Sequence, residues 1–404
     1  MTDTILSLDG SAIEFDNATP KQTSWSAQTW LAMLAMLATS FALVSAEFLP
    51  AGLLTPMAAD LGISEGTAGQ VVTATALVGA VTALLSNVLI GTLNRKAVLV
   101  GLSALAVGSN LLSAYATDFG LLLLGRAGLG IALSAFWALS MAVVVRLVGT
   151  KSMGRGVAMV SLGVSLATIA APSMGALVSE WIGWRHATAI TAGLAGFALL
   201  LQLISLPSLP ATAGNSLGDL ARLLRRPTVL VGMLAIILLM GGHMTGSVYV
   251  RPFLEQITAL STGMIALALG GFGLAAVVGT VLAGRLADID TRRTLALTGT
   301  IMALAALALV LWGANVGTAF VFVGFWGLAF GMAPVSLQSN LSRYAPDALE
   351  SAGSLMVVSF QVAITLGAII GGYVVDTYSA SANMTLTAIF AALTVLLALS
   401  QRKA

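Results

Sequence analysis

Cysteine is absent from this 404-residue chain, and histidine occurs only at His186 and His243. The first absence excludes disulfide frameworks, thiolate nucleophiles and Cys-ligated zinc. The second leaves too few ligands for a His-based metal site. Charge is scarce too: 8% of residues are charged, against 58% hydrophobic. Soluble proteins carry roughly a quarter of their residues charged, so this chain cannot cover a water-facing surface. A net charge of +2 gives no basis for binding nucleic acid. What is present is apolar sequence in long runs, enough for about twelve membrane-crossing helices of about 20 residues each. The composition predicts an all-α integral membrane protein embedded in a lipid bilayer.

The first two dozen residues hold Asp3, Asp9, Glu14 and Asp16, with no basic segment ahead of an apolar one. Residues 1–27 therefore read as a disordered cytoplasmic tail, not a cleaved signal peptide. Spans are expected at 28–54, 67–90, 97–116, 119–147, 154–178, 185–206, 228–251, 262–286, 293–313, 317–343, 350–374 and 380–400. The alternation of barrel strands is missing. Lys21, Arg95, Lys96, Arg146, Lys151, Arg155, Arg222, Arg225, Arg226, Arg285, Arg292, Arg293, Arg343, Arg402 and Lys403 fall on one side of these spans. Arg185 and Arg251 fall on the other, and Arg126 lies inside a span. An excess of basic residues marks the cytoplasmic side, which places both termini there and requires an even number of spans. Twelve satisfies it.

The longest polar break, 207–227, carries three arginines with Pro207, Pro210 and Pro227. It reads as a cytoplasmic linker between a bundle at 28–206 and a second at 228–404. Landmarks recur at a near-constant offset: Pro50 and Pro252 are 202 positions apart, Arg95 and Arg292 are 197, Gly175 and Gly371 are 196. Such an offset predicts two pseudo-symmetric six-helix bundles, with a ligand site between them near the bilayer midplane.

The loop Gly284-Arg285-Leu286-Ala287-Asp288, followed by Arg292-Arg293, resembles a signature of the major facilitator superfamily. The matching loop after the second span is degenerate, with Asn94-Arg95-Lys96 where the family has an acidic residue and a longer turn. Arg126, in Gly125-Arg126-Ala127-Gly128, stands at the position of the family's helix-4 arginine. Ala171-Pro172-Ser173-Met174-Gly175 is similar to the antiporter motif of helix 5, with its first glycine replaced. The stretch from Glu47 to Gln70 is similar to the twelve-span drug:proton antiporters. Within that branch the Phe136-Trp137 pair, the Ser205–Pro210 segment and the Tyr249-x-Arg251-Pro252 turn look like the purine ribonucleoside exporters.

The resemblance implies a proton-coupled antiporter of purine ribonucleosides such as inosine and guanosine, in the bacterial inner membrane. It would work as a monomer, need no cofactor beyond the proton gradient, and use Arg95, Arg285, Asp288 and Arg292 as an inner latch. Sugar or drug export on the same fold is the alternative. A non-transporting receptor is a remote one, since the tails are too short for a signalling domain. An enzyme would require a nucleophile with a base, or a metal constellation, and the sequence offers neither. The glycine-rich helices lack the Gly-Lys-Ser/Thr ending of a phosphate loop.

Coupling to protons requires a group whose charge biases two access states differently. Of the sixteen acidic residues only Glu47 lies inside a span. It precedes Pro56 by nine residues, or about 13 Å, and Arg126 lies about 12 Å past Asp118 from the same side. The two charges thus share a depth. Intramembrane charges are functional by default, so Glu47 is expected to carry the proton and Arg126 to tune it; a permanent structural pair is the other reading. For a purine, Trp137 and Phe136 offer stacking faces. His243 offers a hydrogen bond or a second titrating site. Gln338, Asn340 and Gln361 offer amides that match a purine edge, though amides also join membrane helices.

Overall fold

Backbone polar groups in lipid have no water to bond, so long apolar segments satisfy them internally as helices. The computed structural model describes residues 5–6, 12–13, 25–90, 93–149, 152–210, 222–345 and 349–400. Most of the tail expected at 1–27 lies outside the described residues, apart from a two-residue antiparallel ladder joining Ile5–Leu6 to Ala12–Ile13. Residues 211–221 of the expected linker also lie outside them.

Fourteen helices occur among the described residues. They are α1 (Ala27–Phe48), α2 (Pro50–Leu61), α3 (Glu65–Ile90), α4 (Arg95–Ala114), α5 (Phe119–Val148), α6 (Met153–Ile182), α7 (Trp184–Ser205), α8 (Pro227–Ser247), α9 (Val250–Gln256), α10 (Thr262–Ile289), α11 (Thr291–Trp312), α12 (Val316–Tyr344), α13 (Leu349–Thr377) and α14 (Ala380–Ser400). Twelve of them are long and apolar enough to cross a membrane. Large exposed side chains such as Leu124, Leu267 and Leu304 cover the outside of the bundle, as lipid contact requires.

The first and seventh expected spans are each broken. Pro50 has no N–H to donate to the Ala46 carbonyl, and the chain resets at Leu49 between α1 and α2. Pro252 has none for the Val248 carbonyl, and α8 stops at Ser247 before α9 begins. Uninterrupted spans at 28–54 and 228–251 are corrected accordingly.

The duplication is written into the packing. Asp118 caps α5 by accepting from Leu121 N, and Asn315, 197 residues later, caps α12 by accepting from Thr318 N. A Cβ at Gly130 would collide with the Thr75 carbonyl, and one at Gly327 would collide with the Phe272 carbonyl, both members shifted by 197. The first half of the chain meets the second along α3 with α13 and α6 with α10. Under the offset α3 corresponds to α10 and α6 to α13, so the two contacts are symmetry mates.

Candidate functional site

The break after α1 creates the centre of the site. The Ala46 carbonyl, left without a helical donor by Pro50, accepts from Arg126 Nη1 at 2.7 Å. Arg126 Nε reaches the Val71 carbonyl on α3 at 3.3 Å, so the buried guanidinium ties α1, α3 and α5 together. Glu47 follows Ala46 directly and is partly exposed. It forms no ion pair with Arg126 among the described residues; the two charges act on each other across space. The guanidinium's direct partner is thus the backbone one residue before Glu47, and not the carboxylate. Pro172 and Gly175 of α6 pack against Gly52 and Leu49 at the same break.

Phe48, the residue after Glu47, belongs to an aromatic group that sequence reasoning missed. Phe48 meets Phe330 of α12 edge-on at 6.1 Å, joining the two halves of the chain. Phe330 stacks on His243 at 4.4 Å, and Phe272 and Trp326 complete the cluster around the imidazole. His243 is 1% exposed and its Nδ1 has no hydrogen-bond partner among the described residues. Gln361 of α13 donates to Ser134 Oγ of α5 at 2.9 Å, bridging the halves midway along the bundle.

The other expected residues are dispersed. Phe136 is fully buried in the apolar core of the first half, beside the partly buried Trp137 at 5.4 Å. Asn340 is buried while Gln338 is exposed; two positions apart, they point about 200° apart around α12.

The two ends of the bundle differ. At the end carrying the α2–α3 turn, polar groups join the halves. Arg251 donates to the Gly52 carbonyl and pairs with Glu255 at 2.7 Å. Glu255 accepts from Thr55 Oγ1 at 2.6 Å. Asp376 accepts from Ser64 Oγ at 2.6 Å and from the Gly66 amide at 2.9 Å. Beside them, Tyr249 OH donates to the Ala368 carbonyl at 2.8 Å. At the end carrying Arg95, Arg285 and Asp288 are exposed and form no ion pair among the described residues. Arg292 donates to the Leu399 carbonyl within its own half. Buried Arg95 bonds the Leu93 carbonyl, and its amide bonds the Leu209 carbonyl. The expected latch residues are thus not brought together; apart from Gln361–Ser134, the side-chain bonds that join the halves among the described residues lie at the opposite end.

At the α2–α3 end, Asp60 is held below the ordinary carboxylate range by hydrogen bonds from Arg185 and Trp184. The Arg185 guanidinium also lies over the Trp184 ring at 4.4 Å.

Comparison with known proteins places this geometry. A purine ribonucleoside efflux pump, NepI, of Escherichia coli is 36% identical over 374 residues, covering 93% of this chain and 94% of that protein. Its namesake in Salmonella enteritidis is 35% identical over 367 residues, covering 91% and 92%. Among solved structures, the nucleoside transporter NupG superposes with a TM-score of 0.75 at 15% identity, covering 92% of this chain and 98% of that one. The human organic anion transporter MFSD10 gives 0.66 at 17% identity, covering 92% and 100%. At such identities the two structures speak for the fold alone. The sequence model of the Major Facilitator Superfamily matches residues 31–347 and 233–403. The chain is therefore a multi-pass membrane transporter, not an enzyme, and belongs to the Major Facilitator Superfamily.

Proposed function

We propose that this transporter exports purine ribonucleosides, inosine and guanosine among them, in exchange for protons. The observation that carries the substrate is the likeness to efflux pumps of that name over more than nine-tenths of the chain. The geometry supports it. The aromatic faces of Phe48, Phe330 and Phe272 gather around the His243 imidazole, a set that suits a flat heterocycle with a polar edge. Among the described residues Glu65, Glu180, Asp288 and Asp376 stand near span ends and Glu47 alone lies deep in one, which does not favour a cationic cargo.

The membrane in this reading is the bacterial inner membrane, with both termini cytoplasmic and the α2–α3 end outside. In this orientation the bonds of Arg251, Glu255 and Asp376 hold the outer ends of the two halves together. A nucleoside enters from the cytoplasm and meets the aromatic group. The outer bonds of Arg251, Glu255 and Asp376 break, and Arg95, Arg285, Asp288 and Arg292 close the inner end. Release to the outside is followed by protonation of Glu47, which returns the transporter inward and delivers the proton. Arg126 holds the Ala46 turn and supplies the counter-charge while Glu47 is ionised. The proton gradient is the energy source, and no cofactor takes part.

Uptake of labelled inosine into everted vesicles with an acid interior tests the substrate. Accumulation above that of vesicles lacking the transporter supports nucleoside export. Accumulation of sugars or cationic dyes in place of inosine would refute it.

A further inference from the structure

Two buried donors from different helices meet at one cavity. Arg126 is 5% exposed and uses Nη1 and Nε on backbone carbonyls, while its Nη2 has no hydrogen-bond partner among the described residues. Asn110 of α4 is 2% exposed, and its Nδ2 is also without a partner among the described residues. Both residues line a cavity of about 20 Å³, walled by Ala46, Pro50, Val71 and Trp184. Space of this size admits about one water molecule and excludes a nucleoside. Ser113, Thr188 and Thr191 supply the remaining polar lining. Their hydroxyls donate to the carbonyls of Ser109, Trp184 and Thr188, leaving lone pairs to accept. A water has two lone pairs for the two orphaned donors and two protons for these hydroxyl oxygens.

We propose that this cavity is a water site, and that Asn110 is a positioning residue acting through it. With the water between Asn110 Nδ2 and Arg126 Nη2, the guanidinium is held on the Ala46 carbonyl, one residue from Glu47. The role rests on the coupling function proposed above for Glu47 and Arg126. Arg126 is the one titratable side chain lining the cavity from α1, α2, α3, α4, α5 or α7. Glu47 is the charged group that acts on it.

Two substitutions should move the protonation of Glu47 in opposite directions. Asn110→Asp places a carboxylate beside the water, where it shares the Arg126 charge, so Glu47 takes up its proton at higher pH. Asn110→Leu fills the space with apolar surface and removes the water, turning the guanidinium charge back toward Glu47, so the proton binds at lower pH. Infrared titration of the full chain in lipid, without substrate, reads this from the carboxyl band that Glu47→Gln removes. The band introduced by Asn110→Asp is identified in the double variant with Glu47→Gln. Shifts of about one pH unit in opposite directions are expected, since one nearby charge moves a carboxyl by about 1–3 units. Unchanged midpoints, or shifts of the same sign, overturn the proposal. So does a midpoint that follows chloride against gluconate, which would make the occupant an anion. An atomic-resolution density map tests the water independently of Glu47: density between Asn110 Nδ2 and Arg126 Nη2 supports the site, and a dry cavity overturns it even where Glu47 couples protons.

Discussion

Arg126 donates its Nη1 proton to the carbonyl of Ala46 at 2.7 Å, and that carbonyl is free because Pro50, four residues on, has no amide proton to give it. The same device recurs nearby. Pro56 leaves the Gly52 carbonyl without its helical donor, and Arg251 from the other half of the chain takes it. One proline sets an arginine beside Glu47, and the next gives the outer closure a place to hold.

Pro50→Ala restores an amide that competes for the Ala46 carbonyl and allows α1 to run on into α2. The transporter should remain folded in the membrane while transport falls. Arg126→Lys keeps the charge but replaces the planar fork with one ammonium, which does not match both the Nη1 and the Nε positions. Losing one charge-assisted hydrogen bond costs about 1.5–3 kcal/mol, so transport should drop about tenfold or more. Initial rates in vesicles, normalised to protein by immunoblot, check both; wild-type rates would show that the Ala46–Arg126 bond is dispensable.

The aromatic group around His243 should govern affinity more than the cycle itself. Phe330 contacts both His243 and Phe48, and an aromatic pair contributes about 0.5–1.5 kcal/mol beyond its buried area. Phe330→Ala is expected to weaken inosine binding about threefold to tenfold, and Phe330→Tyr to restore most of it. Calorimetric titration in detergent reads the difference. Equal binding by Phe330→Ala and wild type would remove the cluster from the substrate path.

The outer closure depends on Asp376, which accepts from both Ser64 and the Gly66 amide at the start of α3. Asp376→Ala should populate the outward-open state. Because the chain has no cysteine, Thr73→Cys gives a single label site on α3 with no background. Its reaction with an impermeant maleimide added from outside should be faster in Asp376→Ala than in the parent. Equal rates would show that Asp376 does not hold the halves together.

Asp60 gives a pH signature apart from transport. Arg185 and Trp184 depress its proton affinity in the folded state. The stabilisation is therefore present above the unfolded carboxyl value of about 4 and is lost as pH falls through the lower, folded value. The pair is partly exposed, at 35% and 46%, and screened by solvent, so its contribution is small, up to about 1 kcal/mol. Asp60→Asn should lower the melting temperature by a few degrees at pH 7, with the gap closing at the acid limit. A gap that is constant with pH would assign the effect to packing.

The helices were legible because apolar runs of membrane length have no other use, and the twofold design because Pro50, Arg95 and Gly175 each repeat at nearly one offset. Glu47 and Arg126 stood out as the charges that no turn explains. The aromatic group was hidden: Phe48, Phe272, Trp326 and Phe330 look in sequence like any lipid-facing aromatic, and only the packing of α8, α10 and α12 brings the last three to His243, with Phe48 meeting Phe330 from the other half. Asp376 and Gly66 lie 310 residues apart, a distance no local pattern spans. Asn110 had one faint signal, being the one amide within α4, and its meaning came from the cavity it shares with Arg126.

The central claim is that Glu47 carries the coupling proton. Its most direct test compares wild type with Glu47→Gln in proteoliposomes, measuring labelled inosine driven by a pH gradient and, separately, inosine counterflow without one. Glu47→Gln should lose gradient-driven accumulation while still exchanging inosine down its own concentration difference. Accumulation by Glu47→Gln at the wild-type rate and with the wild-type pH dependence would contradict the claim.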